Sequence, residues 1–274
     1  MKMEIMVGAK NDSGLRREYN EDSFLVDKEL GLFLVADGMG GHNAGEVASR
    51  MAVETIRDVM LNSISRENPS QFNNHDPKLS KNGNLLLTAI KDSNKKIHKA
   101  GQEHISQVGM GTTVAAVYYT GARVVIAHVG DSRIYRIRDK RIELLTTDHS
   151  LIADQVIRGI ITKEEARKSE FKNIITRALG VDEDVKIDIE EQEVMPGDIL
   201  TICTDGLTDM LEDNEILDII KMNIDSPQIA CEKLVDAANK RGGEDNITVI
   251  IVRFVDNEKK SIIKRIFSTF FKKL

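Results

Sequence analysis

The chain has 274 residues, 41% hydrophobic and 30% charged, with a formal net charge of −6. That is enough chain to bury a substantial core, and the composition is neither that of a disordered protein nor one with the basic face that general nucleic-acid binding needs. The two cysteines, Cys203 and Cys231, lie in apolar stretches and supply neither a disulfide framework nor a zinc-ligand set, which fits a reducing, cytoplasmic setting.

Taken in chain order, Met1–Val7 lacks the long apolar centre of a secretion signal. No later run approaches the length of a bilayer span. The first strand signal is Gly31–Ala36. A helix follows over Ala44–Ser63, with Val47, Met51, Ile56 and Met60 at helical spacing. Ser65–Asn84 is polar, carries Pro69 and Pro77, and is expected to be a long surface loop before a second helix over Leu85–His104. Val-, Ile- and Thr-rich runs then predict strands over Thr112–Tyr119, Arg123–His128, Ser132–Ile137 and Arg141–Leu145. Tight breaks at Tyr119–Arg123 and Arg138–Arg141 suggest an antiparallel meander. Residues 147–180 form a charged, helix-rich excursion that reads as a flap. A strand over Ile199–Thr204, a helix over Pro227–Arg241 capped by Ser226, and a strand over Asn246–Phe254 complete the pattern. Helix pairs around a strand-rich centre predict a sheet core with helices on its outer faces.

The end of the chain differs. Lys259–Leu274 holds six basic residues and no acidic one, and removing those charges from the total of −6 leaves −12 for the remainder. Ile262, Ile263, Ile266, Phe267, Phe270, Phe271 and Leu274 would share one helical face, a pattern suited to a membrane surface or a partner protein, or to packing on its own domain. The chain thus divides into a domain over 1–256 and a tail over 257–274.

The chemistry concentrates in carboxylates at strand ends. Asp37, Asp131 and Asp205 each follow an apolar run, Asp245 precedes one, and each has glycine beside or just before it, as in Asp37-Gly38 and Gly130-Asp131. A single Asp-Gly pair is explained by a turn. Four in this context are not, because buried carboxylates need partners and gathered ones repel unless cations neutralise them. Oxygen-only ligation selects Mg2+ or Mn2+, and two such ions can activate a bridging water for attack on phosphorus.

These residues also carry a family resemblance. Asn11–Asp22, Asp37-Gly-Met-Gly-Gly-His42, Gly109-Met-Gly-Thr-Thr113, Gly130-Asp-Ser-Arg133, Asp148-His-Ser150, Thr176-Arg-Ala-Leu-Gly180, Thr204–Asp209 and Gly243-Glu-Asp-Asn-Ile247 resemble, in order, the motifs of metal-dependent Ser/Thr protein phosphatases of type 2C, of the compact bacterial kind. The resemblance implies an α/β sandwich, with two central antiparallel β-sheets flanked by pairs of antiparallel helices. It implies two Mn2+ or Mg2+ ions bridged by Asp37, with the Gly38 carbonyl, Asp205 and Asp245 completing their ligands. Glu21 and Asp22 would hold metal-bound waters, and Asp131 with Asp205 would form a weaker third site. Arg17 would bind phosphate, in preference to Arg16 on motif register, and His42 is the candidate general acid. The reaction implied is hydrolysis of phosphoserine and phosphothreonine in proteins by direct attack of the metal-bridging water. The expected enzyme is a monomer and opposes a bacterial Ser/Thr kinase. Family members often carry His-Pro in the flap, where this chain has Ser169-Glu170.

Other classes fit less well. Neither cysteine has arginine at the tyrosine-phosphatase offset, the Gly38 turn lacks a P-loop lysine, and Asn43 stands where a dinucleotide fingerprint needs glycine. A catalytically silent binding module and a metal nuclease are disfavoured by the intact carboxylate set and by the acidic charge, respectively.

Overall fold

A computed structural model describes residues 3–40, 44–64, 76–104, 107–167, 169, 171 and 173–256. His42, Glu170 and the tail 257–274 lie outside the described residues, as do residues 65–75 of the expected loop.

The strands are β1 (Glu4–Asp12), β2 (Asp22–Asp27), β3 (Leu32–Met39), β4 (Gly111–Thr112), β5 (Val114–Tyr119), β6 (Arg123–Val129), β7 (Arg133–Arg138), β8 (Arg141–Leu144), β9 (Asp188–Glu193), β10 (Ile199–Cys203) and β11 (Ile247–Val255). The helices are α1 (Ala44–Ile64), α2 (Lys81–Glu103), α3 (Leu151–Ile157), α4 (Lys163–Arg167), α5 (Asp205–Thr208), α6 (Asp213–Met222) and α7 (Pro227–Lys240). One antiparallel sheet runs β1-β11-β10-β7-β8 and the other β2-β3-β5-β6-β9, with β4 paired to β3.

Three apolar layers hold these elements together. Alternate residues of a strand face opposite ways. On β3, Leu32, Leu34 and Ala36 join α1 and α2 in one cluster, while Phe33 and Val35 point into the gap between the sheets. On β11, Ile250, Val252 and Phe254 fill the same gap, while Val249 and Ile251 meet α6 and α7 on the far face. The result is the expected sandwich with a helix pair on each outer face. Fully buried side chains such as Phe33 and Phe254 each contribute ~1.5–3 kcal/mol of transfer free energy.

The structure corrects three local readings. The meander is two hairpins in different sheets, because β5-β6 belongs to one sheet and β7-β8 to the other, with Gly130–Ser132 making the crossing. The second helix starts at Lys81 rather than Leu85, because Ser80 caps it by accepting the Gly83 N–H at 3.1 Å. Three strands, β1, β2 and β9, are absent from the sequence reading, and all three are sheet edges. Residues 147–180, expected as a helix-rich flap, carry two short helices among the described residues, α3 and α4, and Ser150 bridges antiparallel to Ile175.

Candidate metal centre

The same alternation builds the site. Asp37 continues the inward row of Phe33 and Val35, and Asp22 lies directly opposite it across the β2-β3 pair. Thr204 and Thr248 continue the inward rows of β10 and β11. At this end of the gap between the sheets, the apolar filling gives way to oxygen. Thr204 Oγ1 donates to Asp22 Oδ2 at 2.9 Å and Thr248 Oγ1 donates to the same atom at 2.6 Å, so the two sheets are bonded through one carboxylate.

Asp37, Asp131 and Asp205 crowd this end with Asp22. The Asp37 and Asp205 carboxyls lie within hydrogen-bonding reach of each other. Burial, then the charges of Asp205, Asp22 and Asp131, push the Asp37 carboxyl well above the usual range. Burial and then Asp205 and Asp148 do the same to Asp131. Asp205 is pushed up to about 6 by burial, Asp209 and Asp245. Asp22 is pushed up to about 7 by burial, against the two threonine hydroxyls and with the charges of Asp205 and Asp245. Oδ1 of Asp22, of Asp131 and of Asp205 is buried with no hydrogen-bond partner. Buried carboxylate oxygens without partners are costly, and a shared divalent cation removes both the repulsion and the orphaned acceptors. The residues therefore fit the implied ions.

Glycines let the backbone close around these side chains. A Cβ on Gly38 would fall 2.1 Å from the Gly45 carbonyl oxygen and 2.6 Å from that of Glu21, so no larger residue fits where β3 passes the start of α1. A Cβ on Gly206 would fall 2.1 Å from the Asn246 oxygen and 3.4 Å from Asp245 Cβ, which sets Asp245 against the start of α5. Asp37 lies within β3 rather than at its end, because the strand runs on to pair Gly38 with Thr112 and Met39 with Gly111.

The remaining expected residues line the rim. Arg17 Nη2 donates to Asp245 Oδ2 at 2.7 Å, with the guanidinium half exposed. Glu21 accepts from the Gly45 backbone, and burial raises its pKa. Residue Asn246 was not anticipated. Its Oδ1 accepts the Glu21 N–H at 2.8 Å and its Nδ2 donates to the Ser13 and Tyr19 carbonyls, both at 3.0 Å, pinning the loop that carries Arg17 and Glu21. Thr113 and Ser132 were also missed as site residues. Thr113 Oγ1 accepts the Asp37 N–H at 3.0 Å and lies 2.7 Å from Ser132 Oγ, linking the Asp37 and Asp131 turns. Extending the period-2 pattern past each apolar run would have found Thr113, Thr204 and Thr248. Nothing in the sequence marks the reach of Asn246.

The chain is also similar to known proteins. The family model for protein phosphatase 2C matches residues 15–239. The chain belongs to the protein phosphatase 2C family. It is 37% identical over 246 residues to the serine/threonine phosphatase stp of Listeria welshimeri, covering 89% of this chain and 93% of that one. Among solved structures it resembles the serine/threonine phosphatase PstP/Ppp of Mycobacterium tuberculosis, with 30% identity, a TM-score of 0.81, and 92% and 99% of the two chains covered. A PstP catalytic domain in complex with two manganese ions gives 31% identity, a TM-score of 0.79, and coverage of 93% and 100%.

A second cluster, His128, His149 and Asp188, brings three ligand-type atoms within 4.8 Å of one another. It is not built as this family's metal centre. His149 Nδ1 already accepts the Gly130 N–H at 3.1 Å, so a metal on Nε2 would demand a fully deprotonated ring, and Arg177 holds Asp188 Oδ1 at 3.0 Å.

Proposed function

We propose that this phosphatase hydrolyses phosphoserine and phosphothreonine in proteins, using divalent cations held by Asp37, the Gly38 carbonyl, Asp205 and Asp245. The observation that carries the reading is the convergence of buried, mutually repelling carboxylates with orphaned oxygens at one end of the inter-sheet gap. Mn2+ or Mg2+ bound there supplies Lewis acidity and lowers the pKa of water. Asp131 and Asp205 take a third, weaker ion. Glu21 and Asp22 accept hydrogen bonds from water around the ions. Arg17 reaches the substrate phosphate from the rim, where its planar fork suits two phosphate oxygens. The reaction forms a bond from a water oxygen to phosphorus and breaks the bond to the serine or threonine oxygen. The leaving alkoxide takes a proton, for which His42 is the assigned donor.

Residues 147–180 serve as a flap over this site, and the partner that supplies phosphorylated substrate is a Ser/Thr kinase. The acting unit is a monomer in the cytoplasm. Among the described residues no helix is long and apolar enough to cross a membrane. The tail Lys259–Leu274 docks the domain to an anionic membrane surface or to a membrane-held partner. The fold supports this use. β11 runs from beside Asp245 to Val255, opposite Glu4, so the described chain ends about 30 Å along the strand from Asp245.

The decisive experiment is phosphopeptide hydrolysis with Mn2+, with and without chelator. Chelator-sensitive turnover is expected, and turnover that persists without metal refutes the reading. Co-sedimentation with anionic vesicles tests the tail, and binding unchanged on deleting residues 257–274 removes that role.

A further inference from the structure

His149 is 2% exposed and sits at the start of the flap, against the turn that carries Asp131. It holds that turn from two directions. Its backbone N–H donates to the Gly130 carbonyl at 2.9 Å, and its Nδ1 accepts the Gly130 N–H at 3.1 Å. Its own carbonyl accepts the Thr176 N–H at 2.8 Å from the returning end of the flap. The ring stacks on His128 with centroids 4.6 Å apart, so it cannot swing away.

Gly130 has little freedom to compensate. Its φ is +104°, in the region that favours glycine, and a Cβ there would lie 2.6 Å from Thr113 Cγ2. Asp131 is the next residue, and its buried Oδ1 has no partner. The direction of that carboxylate therefore follows the Gly130 peptide.

The ring's protonation state is fixed by its contacts. Nδ1 receives a proton donor, so it carries a lone pair, and the neutral ring bears its hydrogen on Nε2. Nε2 faces Asp188 Oδ2 at 3.4 Å, an electrostatic contact too long for a strong hydrogen bond. Burial, then His128 and Arg177, lower the His149 pKa to about 4, so the ring stays neutral near pH 7.

We propose that His149 is a positioning residue for the Asp131 cation site: its Nδ1 anchors the Gly130 N–H and through that peptide aims the Asp131 carboxylate at the third ion. The proposal rests on the reading of Asp131 as a ligand of that ion. Outer partners of this kind change metal affinity by about 10–100-fold when removed.

The test is calorimetric titration of the full chain with Mn2+ for wild type, D131A, H149L and H149N. Asparagine can place Oδ1 near the position of Nδ1 and keep the acceptor, whereas leucine fills the space without one. Wild type is expected to show a weak binding event that D131A abolishes. H149L should weaken that event about tenfold or more and leave the tight events within about threefold, while H149N stays within about threefold of wild type throughout. A weak event unchanged in H149L, or weakened equally in H149N, overturns the positioning role while leaving the third-ion reading intact. A wild type without an Asp131-dependent event removes both. Should H149L fail to fold, amide hydrogen exchange decides between H149N and H149Q. Gly130 is expected to stay protected in H149N and to exchange about tenfold faster or more in H149Q, and equal protection in the two refutes the anchor.

Discussion

Asp37 is half-buried and packed among other carboxylates, and that placement separates its contribution to activity from its contribution to stability. Asp37→Asn removes a charge from a repelling group and keeps the shape. In chelator the variant is expected to melt higher than wild type by roughly 2–8 °C, about 1–2 kcal/mol at this chain length. Phosphopeptide turnover with Mn2+ should fall by a factor of about 100 or more if Asp37 holds the ions as proposed. Calorimetry with and without metal checks both. Arg17 contacts Asp245 from the rim and is half exposed, so Arg17→Ala should mainly raise KM, with kcat reduced less. An unchanged KM and kcat would contradict its phosphate role. His149 gives a pH signature. Its pKa falls from 6.5 to about 4 on folding, so the folded state resists protonation. The stability this supplies is present above about pH 6.5 and is lost as pH falls towards 4. H149N, which cannot titrate, should show a shallower loss of Tm than wild type across that interval.

At the scale of single elements, β3 shows why a strand here must carry glycine. The strand runs past Asp37 to Met39, and α1 begins close beside Gly38. Gly38→Ala would force the 2.1 Å approach to the Gly45 oxygen apart. It is expected to lower Tm by roughly 4–12 °C, corresponding to ~2–3 kcal/mol of overpacking, and to weaken Mn2+ binding together with activity. The cap of α2 is a milder case. Ser80→Ala removes an acceptor from the Gly83 N–H and should cost ~0.5–1 kcal/mol with no change in catalysis, since α2 lies on the outer helical layer. The strands that escaped the sequence reading are all at sheet edges. β1, β2 and β9 are edges, paired on one side only, and β9 is built from Asp188, Glu190, Glu191 and Glu193 around two less polar residues. A charged edge avoids further pairing, so in β9 the feature that protects the sheet also erases the apolar signature.

For the molecule as a whole, the C-terminal strand is the keystone of one sheet. β11 lies between β1 and β10, and Val255 pairs with Glu4, so the two ends of the described domain are bonded together. A chain ending after Asp256 retains every described element and is expected to keep phosphatase activity within about twofold while losing vesicle binding. A chain ending before Ile247 lacks the interior strand β11 and its inward Ile250, Val252 and Phe254, and should fail to fold cooperatively. Circular dichroism and thermal melts of the two truncations separate these outcomes.

Local chemistry was enough to read the apolar strand runs, the helix over α1, the Ser226 cap of α7, and the acidic residues next to those apolar runs. Those features depend on neighbours in the chain, and the ordered motifs named the family. Which sheet each hairpin joins, and which hydroxyls and amides meet the carboxylates, depended on packing between distant segments. Asp22 bonds Thr204 and Thr248 across 182 and 226 residues, and Asn246 reaches back to Ser13, Tyr19 and Glu21. Such contacts leave no local periodicity, because the twist and closure of the sandwich, not the spacing of residues along the chain, bring their atoms within bonding distance.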